Sequence, residues 1–154
     1  MCGLAGFITS DRSERGTLVH IASSMADTLT HRGPDDSGVW VDPVSGIALA
    51  FRRLSIIDLS PAGHQPMHSA NGRYVIVFNG EIYNFGELRK DLEQSGEAPD
   101  WRGHSDTEVL LALISARGID RALEQSIGMF AQLFGHDPFD GHARIDDIAH
   151  RSRS

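Results

Sequence analysis

Asn71-Gly72-Arg73-Tyr74-Val75-Ile76-Val77-Phe78-Asn79-Gly80 is the stretch on which the fold of this chain turns. Asn-Gly tolerates the left-handed backbone of a tight hairpin, so residues 71–72 predict a turn. The run from Tyr74 to Phe78 is apolar without a break, the pattern of a central strand.

Upstream of that strand, Gly3 to Thr9 is a short, mostly apolar strand that ties the N-terminus into a sheet, followed by a charged turn over 11–16. Leu18, Ile21, Ala22, Met25 and Leu29 recur every three or four residues and predict an amphipathic helix. The polar segment His31-Arg32-Gly33-Pro34-Asp35-Asp36-Ser37-Gly38 ends it. Val39 to Val41 and Ile47 to Ile57 predict strands joined by a turn over 42–46, and a loop from Asp58 to Met67 carries Pro61, Gly63 and Pro66.

Downstream, Asn84 precedes Glu87 by three residues and Ser105 precedes Glu108, which makes both pairs candidate capping boxes. The first helix presents Phe85, Leu88 and Leu92 and stops near Gly96; the second, Asp106 to Ala116, is stopped by Gly118. A short helix is expected from Ile119 to Gln125 and a strand from Met129 to Phe134. Gly135 to Ser154 has no sustained period and reads as loop or loosely docked end. The order is mixed α+β, which suits sheet layers covered by helices better than a regularly alternating parallel fold.

Composition narrows the function classes. A chain of 154 residues fits one domain and buries roughly two thirds of its unfolded surface. Its formal charge of -7 disfavours a phosphate backbone, so no nucleic-acid partner is expected. No apolar run approaches about 18 residues and the N-terminus lacks a secretory pattern, so neither a membrane partner nor export is expected and a cytoplasmic location is. One cysteine makes no internal disulfide and no thiolate zinc cluster, and the eight histidines are scattered without His-Glu-x-x-His spacing, so no metal site is expected.

That single cysteine is Cys2. In most settings a lone cysteine is a small buried hydrophobe. Removal of Met1 changes its chemistry, because thiol and α-amine then share one residue. A terminal amine, with an unperturbed pKa of about 7.7, is partly unprotonated near neutrality and can take the thiol proton as attack proceeds. No histidine base is required.

Met1-Cys2-Gly3-Leu4-Ala5-Gly6, His31-Arg32-Gly33-Pro34-Asp35, Arg53-Leu54-Ser55-Ile56-Ile57-Asp58, Gly63-His64-Gln65-Pro66-Met67, Asn79-Gly80-Glu81-Ile82-Tyr83-Asn84, Ser105-Asp106-Thr107-Glu108 and Gly128-Met129-Phe130-Ala131 follow in order. In order and spacing they resemble the class II glutamine amidotransferases, and within them the N-terminal domain of glutamine-hydrolysing asparagine synthetases. The resemblance covers 2 to about 131, and its specificity lies in seven motifs occurring together. It implies a four-layer αββα sandwich of the N-terminal-nucleophile hydrolase type, incomplete at its C-terminus.

The same resemblance assigns roles. Cys2 attacks the side-chain amide of glutamine, a thioester forms, ammonia leaves, and water releases glutamate. Asn79 and the backbone N–H of Gly80 form the oxyanion hole, although Asn-Gly alone spells a turn. Arg53 grips the α-carboxylate, and Asp106 with Glu81 receives the α-ammonium. The charges close, since a zwitterion needs a cation at one end and an anion at the other. Asp106 also has an unremarkable role open to it in the first turn of its helix. The 31–35 segment supports the site without taking part in the chemistry.

Two departures stand out. Phe51 occupies a position where the family often has histidine, a local difference in packing. From Gln132 onward the family's apolar strand and its Lys-Pro-Leu-Tyr-like stretch are missing, so 2–131 is expected as a truncated amidotransferase domain and 132–154 as a divergent tail. The 154 residues contain no pyrophosphate-binding loop of the Ser-Gly-Gly-x-Asp kind that a synthetase domain would carry, so they are not expected to make asparagine by themselves. Glutamine hydrolysis needs no cofactor, whereas ATP, magnesium and aspartate belong to the absent domain. Expected partners are glutamine and a synthetase domain or homologous chain. Two other readings stay open: an inactive remnant serving as an interaction module, and an ammonia donor for an acceptor other than aspartate.

Overall fold

In a computed structural model, residues 2–10, 13–54 and 63–136 are described. The first sheet is built on β3 (Ile47–Arg53), whose residues from Ile47 to Phe51 are all buried. β1 (Gly3–Ile8) and β2 (Asp36–Asp42) flank it in the antiparallel order β1-β3-β2, with Gly3 opposite Arg52 and Asp36 opposite Arg53. Side chains on a strand alternate between faces, and here each face has its own residue type. Ala48 and Ala50 meet Leu18, Ala22 and Ala26 of α1 (Arg15–Asp27), and their small size lets the helix lie close. Ile47, Leu49 and Phe51 point the other way.

They pack on Val75 and Val77 of β5 (Tyr74–Ile82), the centre of the second sheet. Its antiparallel order is β4 (Met67–His68), β5, β6 (Gly128–His136). The opposite face of β5 carries Tyr74, Ile76, Phe78 and Ile82 into a core shared with α2 (Phe85–Ser95), α3 (Asp106–Arg117) and α4 (Ile119–Gln125). Helix, sheet, sheet and helices therefore stack as four layers, the αββα arrangement expected. Full burial of a residue such as Leu49 or Phe51 contributes about 1.5–3 kcal/mol, so the inter-sheet layer holds the two halves together.

Several local expectations are corrected. The central strand does not stop at Phe78 but runs to Ile82, because β6 pairs Asn79 with Ala131 and Gly80 with Phe130. Tertiary pairing thus overrides the turn preference of Asn-Gly. α1 begins at Arg15 and ends at Asp27, three residues ahead of the expected start and two ahead of the expected end. Met67 lies in β4 rather than in a loop, and 55–57 of the expected strand and 58–62 of the loop lie outside the described residues.

Asn84 does not cap α2. Its side chain donates to the Gln125 carbonyl at 2.9 Å and accepts from the Ile127 N–H at 2.8 Å, tying the helix start to the strand that follows α4. Ser105 does cap α3, accepting from the Glu108 N–H at 3.2 Å. The reciprocal half of that box is absent. Buried Glu108 instead accepts from the Arg102 and Gly103 N–H groups at 2.7 and 3.0 Å.

β6 passes position 131 without a break, and Gly135 and His136 are in it rather than in a loop. Their pairing with Val75 and Tyr74 supplies what the residue pattern lacked. The rest of the expected tail, 137–154, lies outside the described residues.

Candidate active site

The inter-sheet layer changes character at one end, and strand alternation dictates which residues make the change. On β3 the series Ile47, Leu49, Phe51 continues to Arg53; on β5 the series Val75, Val77 continues to Asn79 and Glu81. Cys2 precedes β1 and packs partly buried against the same apolar layer. A thiol, a cation, an amide and a carboxylate thus share one end of this layer.

Cys2 is held by the backbone of Leu54, whose N–H lies 3.4 Å from the sulfur and whose carbonyl oxygen lies 3.8 Å from it. Gly3, next to it, is buried against α1's exit: a Cβ there would fall 2.8 Å from Leu29 Cβ. Packing thus gives Gly3 a reason of its own. The Arg53 guanidinium lies against Gly63, where a Cβ would fall 2.3 Å from Nη2. The 31–35 segment packs beneath Arg53, with the Asp35 N–H donating to the Arg53 carbonyl at 3.0 Å and buried Gly33 against the Arg52 carbonyl.

The edge of β5 is the other half of the site. In an antiparallel strand successive N–H groups point to opposite edges. The Tyr83 N–H donates to Ile127 across the β5–β6 side, so the N–H groups of Phe78, Gly80 and Ile82 face the other edge, beyond the short β4. The Phe78 N–H donates to Gln65 Oε1 at 2.6 Å, and the Ile82 N–H to Asp106 Oδ2 at 3.0 Å. Between them the Gly80 N–H takes no side-chain partner among the described residues. Position 80 requires glycine for contact reasons, because a Cβ would fall 2.4 Å from Met129 O and from Phe130 Cα.

Asp106 has two attachments, since Oδ1 also accepts from the Thr107 N–H at 2.8 Å. Burial is the largest influence on its carboxyl and raises the pKa above the usual aspartate value; the hydrogen bonds from Ile82 and Thr107 oppose that shift, and the negative charge of Glu81 adds to it. Glu81 is exposed, so the two carboxylates bring concentrated negative charge to the end of β5.

Thus Cys2 and Arg53 come from the first sheet, Asn79, Gly80 and Glu81 from β5, and Asp106 from the first turn of α3. Absent from the assigned roles was the 63–66 segment. His64 Nδ1 pairs with Asp36 Oδ2 at 2.7 Å, and Gln65 is buried. The available signal was the polar pair His64-Gln65 ahead of Pro66. Two surface depressions, one lined by Arg15, Trp40, Asp42 and His68 and the other by His68, Arg102 and Glu108, include none of the six assigned residues. Chemistry rather than depth marks the site. Among the described residues no group of three or more His, Cys, Asp or Glu side chains is placed to hold a metal ion, and no helix is long and apolar enough to cross a membrane.

Comparison with known proteins agrees with this architecture. Residues 1–138 match the family described as glutamine amidotransferase domain. Asparagine synthetase [glutamine-hydrolyzing] 2 of Bacillus subtilis is 42% identical over 133 residues, covering 85% of this chain and 17% of that protein. A putative asparagine synthetase [glutamine-hydrolyzing] of Mycobacterium tuberculosis is 41% identical over 142 residues, covering 85% of this chain and 21% of that one. Amidase chry2 of Gibberella zeae is 35% identical over 127 residues, 77% of this chain and 18% of its own length. The chain therefore spans about a fifth of the curated relatives it matches. Among solved structures, glutamine phosphoribosylpyrophosphate amidotransferase from B. subtilis shares the fold, with a TM-score of 0.62 at 20% identity, over 88% of this chain and 34% of that one.

Proposed function

Because this chain belongs to the glutamine amidotransferase domain family, we propose that it hydrolyses free glutamine with Cys2 as nucleophile and supplies the ammonia to an asparagine synthetase-like acceptor domain. The observation that carries the proposal is the polar end of the inter-sheet layer, where Cys2, Arg53, Asn79 and Glu81 replace hydrocarbon.

After loss of Met1, the free amine of Cys2 takes the thiol proton while sulfur bonds to the amide carbon of glutamine. The carbonyl oxygen becomes an oxyanion facing Asn79 Nδ2 and the Gly80 N–H. A fixed donor of this kind contributes about 3–4 kcal/mol to the barrier reduction in comparable sites. The amine returns its proton to the leaving nitrogen, ammonia departs, and a thioester remains. Water then attacks the thioester, giving glutamate and restoring the thiol. Arg53 holds the α-carboxylate and Asp106 with Glu81 the α-ammonium, which fixes the amide over the sulfur. This half-reaction uses the chain's own groups and no cofactor.

The relatives named asparagine synthetase support this acceptor; in that reading ATP, magnesium and aspartate belong to a synthetase domain, and the location is cytoplasmic. The likeness to an amidase favours a second reading in which the same donor chemistry serves another acceptor. The donor half is tested directly by Cys2→Ala. Ammonia release from glutamine is expected to disappear while the circular dichroism spectrum stays that of the parent, and hydrolysis persisting at the parent rate would remove Cys2 from the role.

A further inference from the structure

The segment from Gly63 to Pro66 touches both halves of the site. Gly63 supports the Arg53 guanidinium, His64 pairs with Asp36 beside it, and Gln65 reaches the second sheet. The register Met67 opposite Ile76 would, if continued, place Gln65 opposite Phe78. The backbone does not continue that ladder. It crosses to β2, where Gly38 leaves room for it: a Cβ at position 38 would fall 2.0 Å from the Gln65 carbonyl oxygen. The Gln65 side chain spans the resulting gap and accepts from the Phe78 N–H at 2.6 Å with its Oε1. An orphaned edge donor is thereby satisfied by a buried side chain instead of a strand.

We propose that Gln65 is a positioning residue of the oxyanion hole. Phe78 immediately precedes Asn79, and Gln65 at Phe78 and Asp106 at Ile82 pin the β5 edge on either side of the Gly80 N–H. Gln65 touches no reacting atom. It fixes the height of the β5 edge against the first sheet, and hence the distance between Cys2 and the donors of Asn79 and Gly80. The inference rests on the glutaminase reading above.

Gln65→Met keeps the length and removes the acceptor, while Gln65→Glu keeps an acceptor oxygen. In the full 154-residue chain Gln65→Met is expected to lower kcat for glutamine by about tenfold or more, with KM changed by less than about twofold. Alkylation of Cys2 by iodoacetamide, a displacement that forms no oxyanion, is expected to keep the parent rate. Gln65→Glu is expected to recover most of the lost kcat. Should Gln65→Met not fold, the Glu variant decides alone: kcat near the parent value supports the acceptor role, and a loss of about tenfold overturns it. A folded Gln65→Met with parent kcat overturns it, as does a parallel fall in kcat and alkylation rate, which is the mark of general disruption. A parent chain that alkylates at Cys2 but releases no ammonia defeats the glutaminase reading itself, before any variant is compared.

Discussion

Gly80 is the residue at which packing meets the proposed chemistry. Its backbone passes so close to β6 that a methyl group would overlap Met129 O and Phe130 Cα at 2.4 Å, both backbone atoms with no freedom to step aside. Gly80→Ala must therefore move β5 away from β6 and carry the edge N–H with it. We expect kcat to fall by about a hundredfold, the scale seen when one oxyanion donor is lost; steady-state ammonia release checks it, and parent kcat would mean the N–H at position 80 is not a donor to the reaction. Asp106 gives a prediction in pH. Its carboxyl holds a proton more tightly in the folded chain than in the unfolded one, so this group favours the folded state at acid pH and loses that contribution as pH rises through its raised pKa. An ammonium group arriving from substrate reverses the balance by stabilising the anion. In the non-hydrolysing Cys2→Ala chain, calorimetric affinity for glutamine is expected to weaken as pH falls through that raised value, and Asp106→Asn to be weaker throughout with a flatter acid side. Identical pH profiles for the two would take the ammonium away from Asp106.

At the scale of elements, β6 shows most clearly where pattern alone fell short. Phe130, Gln132 and Phe134 share one face of the strand, buried against the helices, and Gln132 is fully buried with neither its side-chain oxygen nor its nitrogen hydrogen-bonded among the described residues. An unsatisfied buried polar group costs about 1–3 kcal/mol. Gln132→Met, close in shape and apolar, is therefore expected to raise stability by about 1–3 kcal/mol in urea unfolding, and no gain would mean that the amide finds partners in solution. Pattern placed the strand from Met129 to Phe134, across that polar residue, and pairing with Val75 and Tyr74 carries it on to His136. Elements with strong periodic signals were legible: α4 occupies the expected span, and β1 and the apolar part of β5 lie where apolar runs placed them. Side-chain ties were not, because Asn84 and Glu108 carry the letters of a cap yet bond to chain distant from it or just before it. For the site, the residue types were readable from motifs, whereas the edge geometry of β5 that separates Gly80 from Phe78 and Ile82 depends on where β4 ends.

For the molecule as a whole, the αββα stack accounts for how residues as distant in sequence as Cys2 and Glu81 come to one end of the layer between the sheets. The inter-sheet layer is hydrocarbon where Ile47, Leu49 and Phe51 meet Val75 and Val77, so the sheets are fixed face to face, and Cys2 packs against that layer. In the proposed reaction the base is the free amine on the same residue as the thiol. Intact-mass analysis after incubation with a diazoketone analogue of glutamine tests this most directly. The account predicts a chain lacking Met1 that gains a single adduct on Cys2, with excess glutamine slowing the labelling; a chain that keeps Met1, or one that lacks it and gains no adduct, would contradict it.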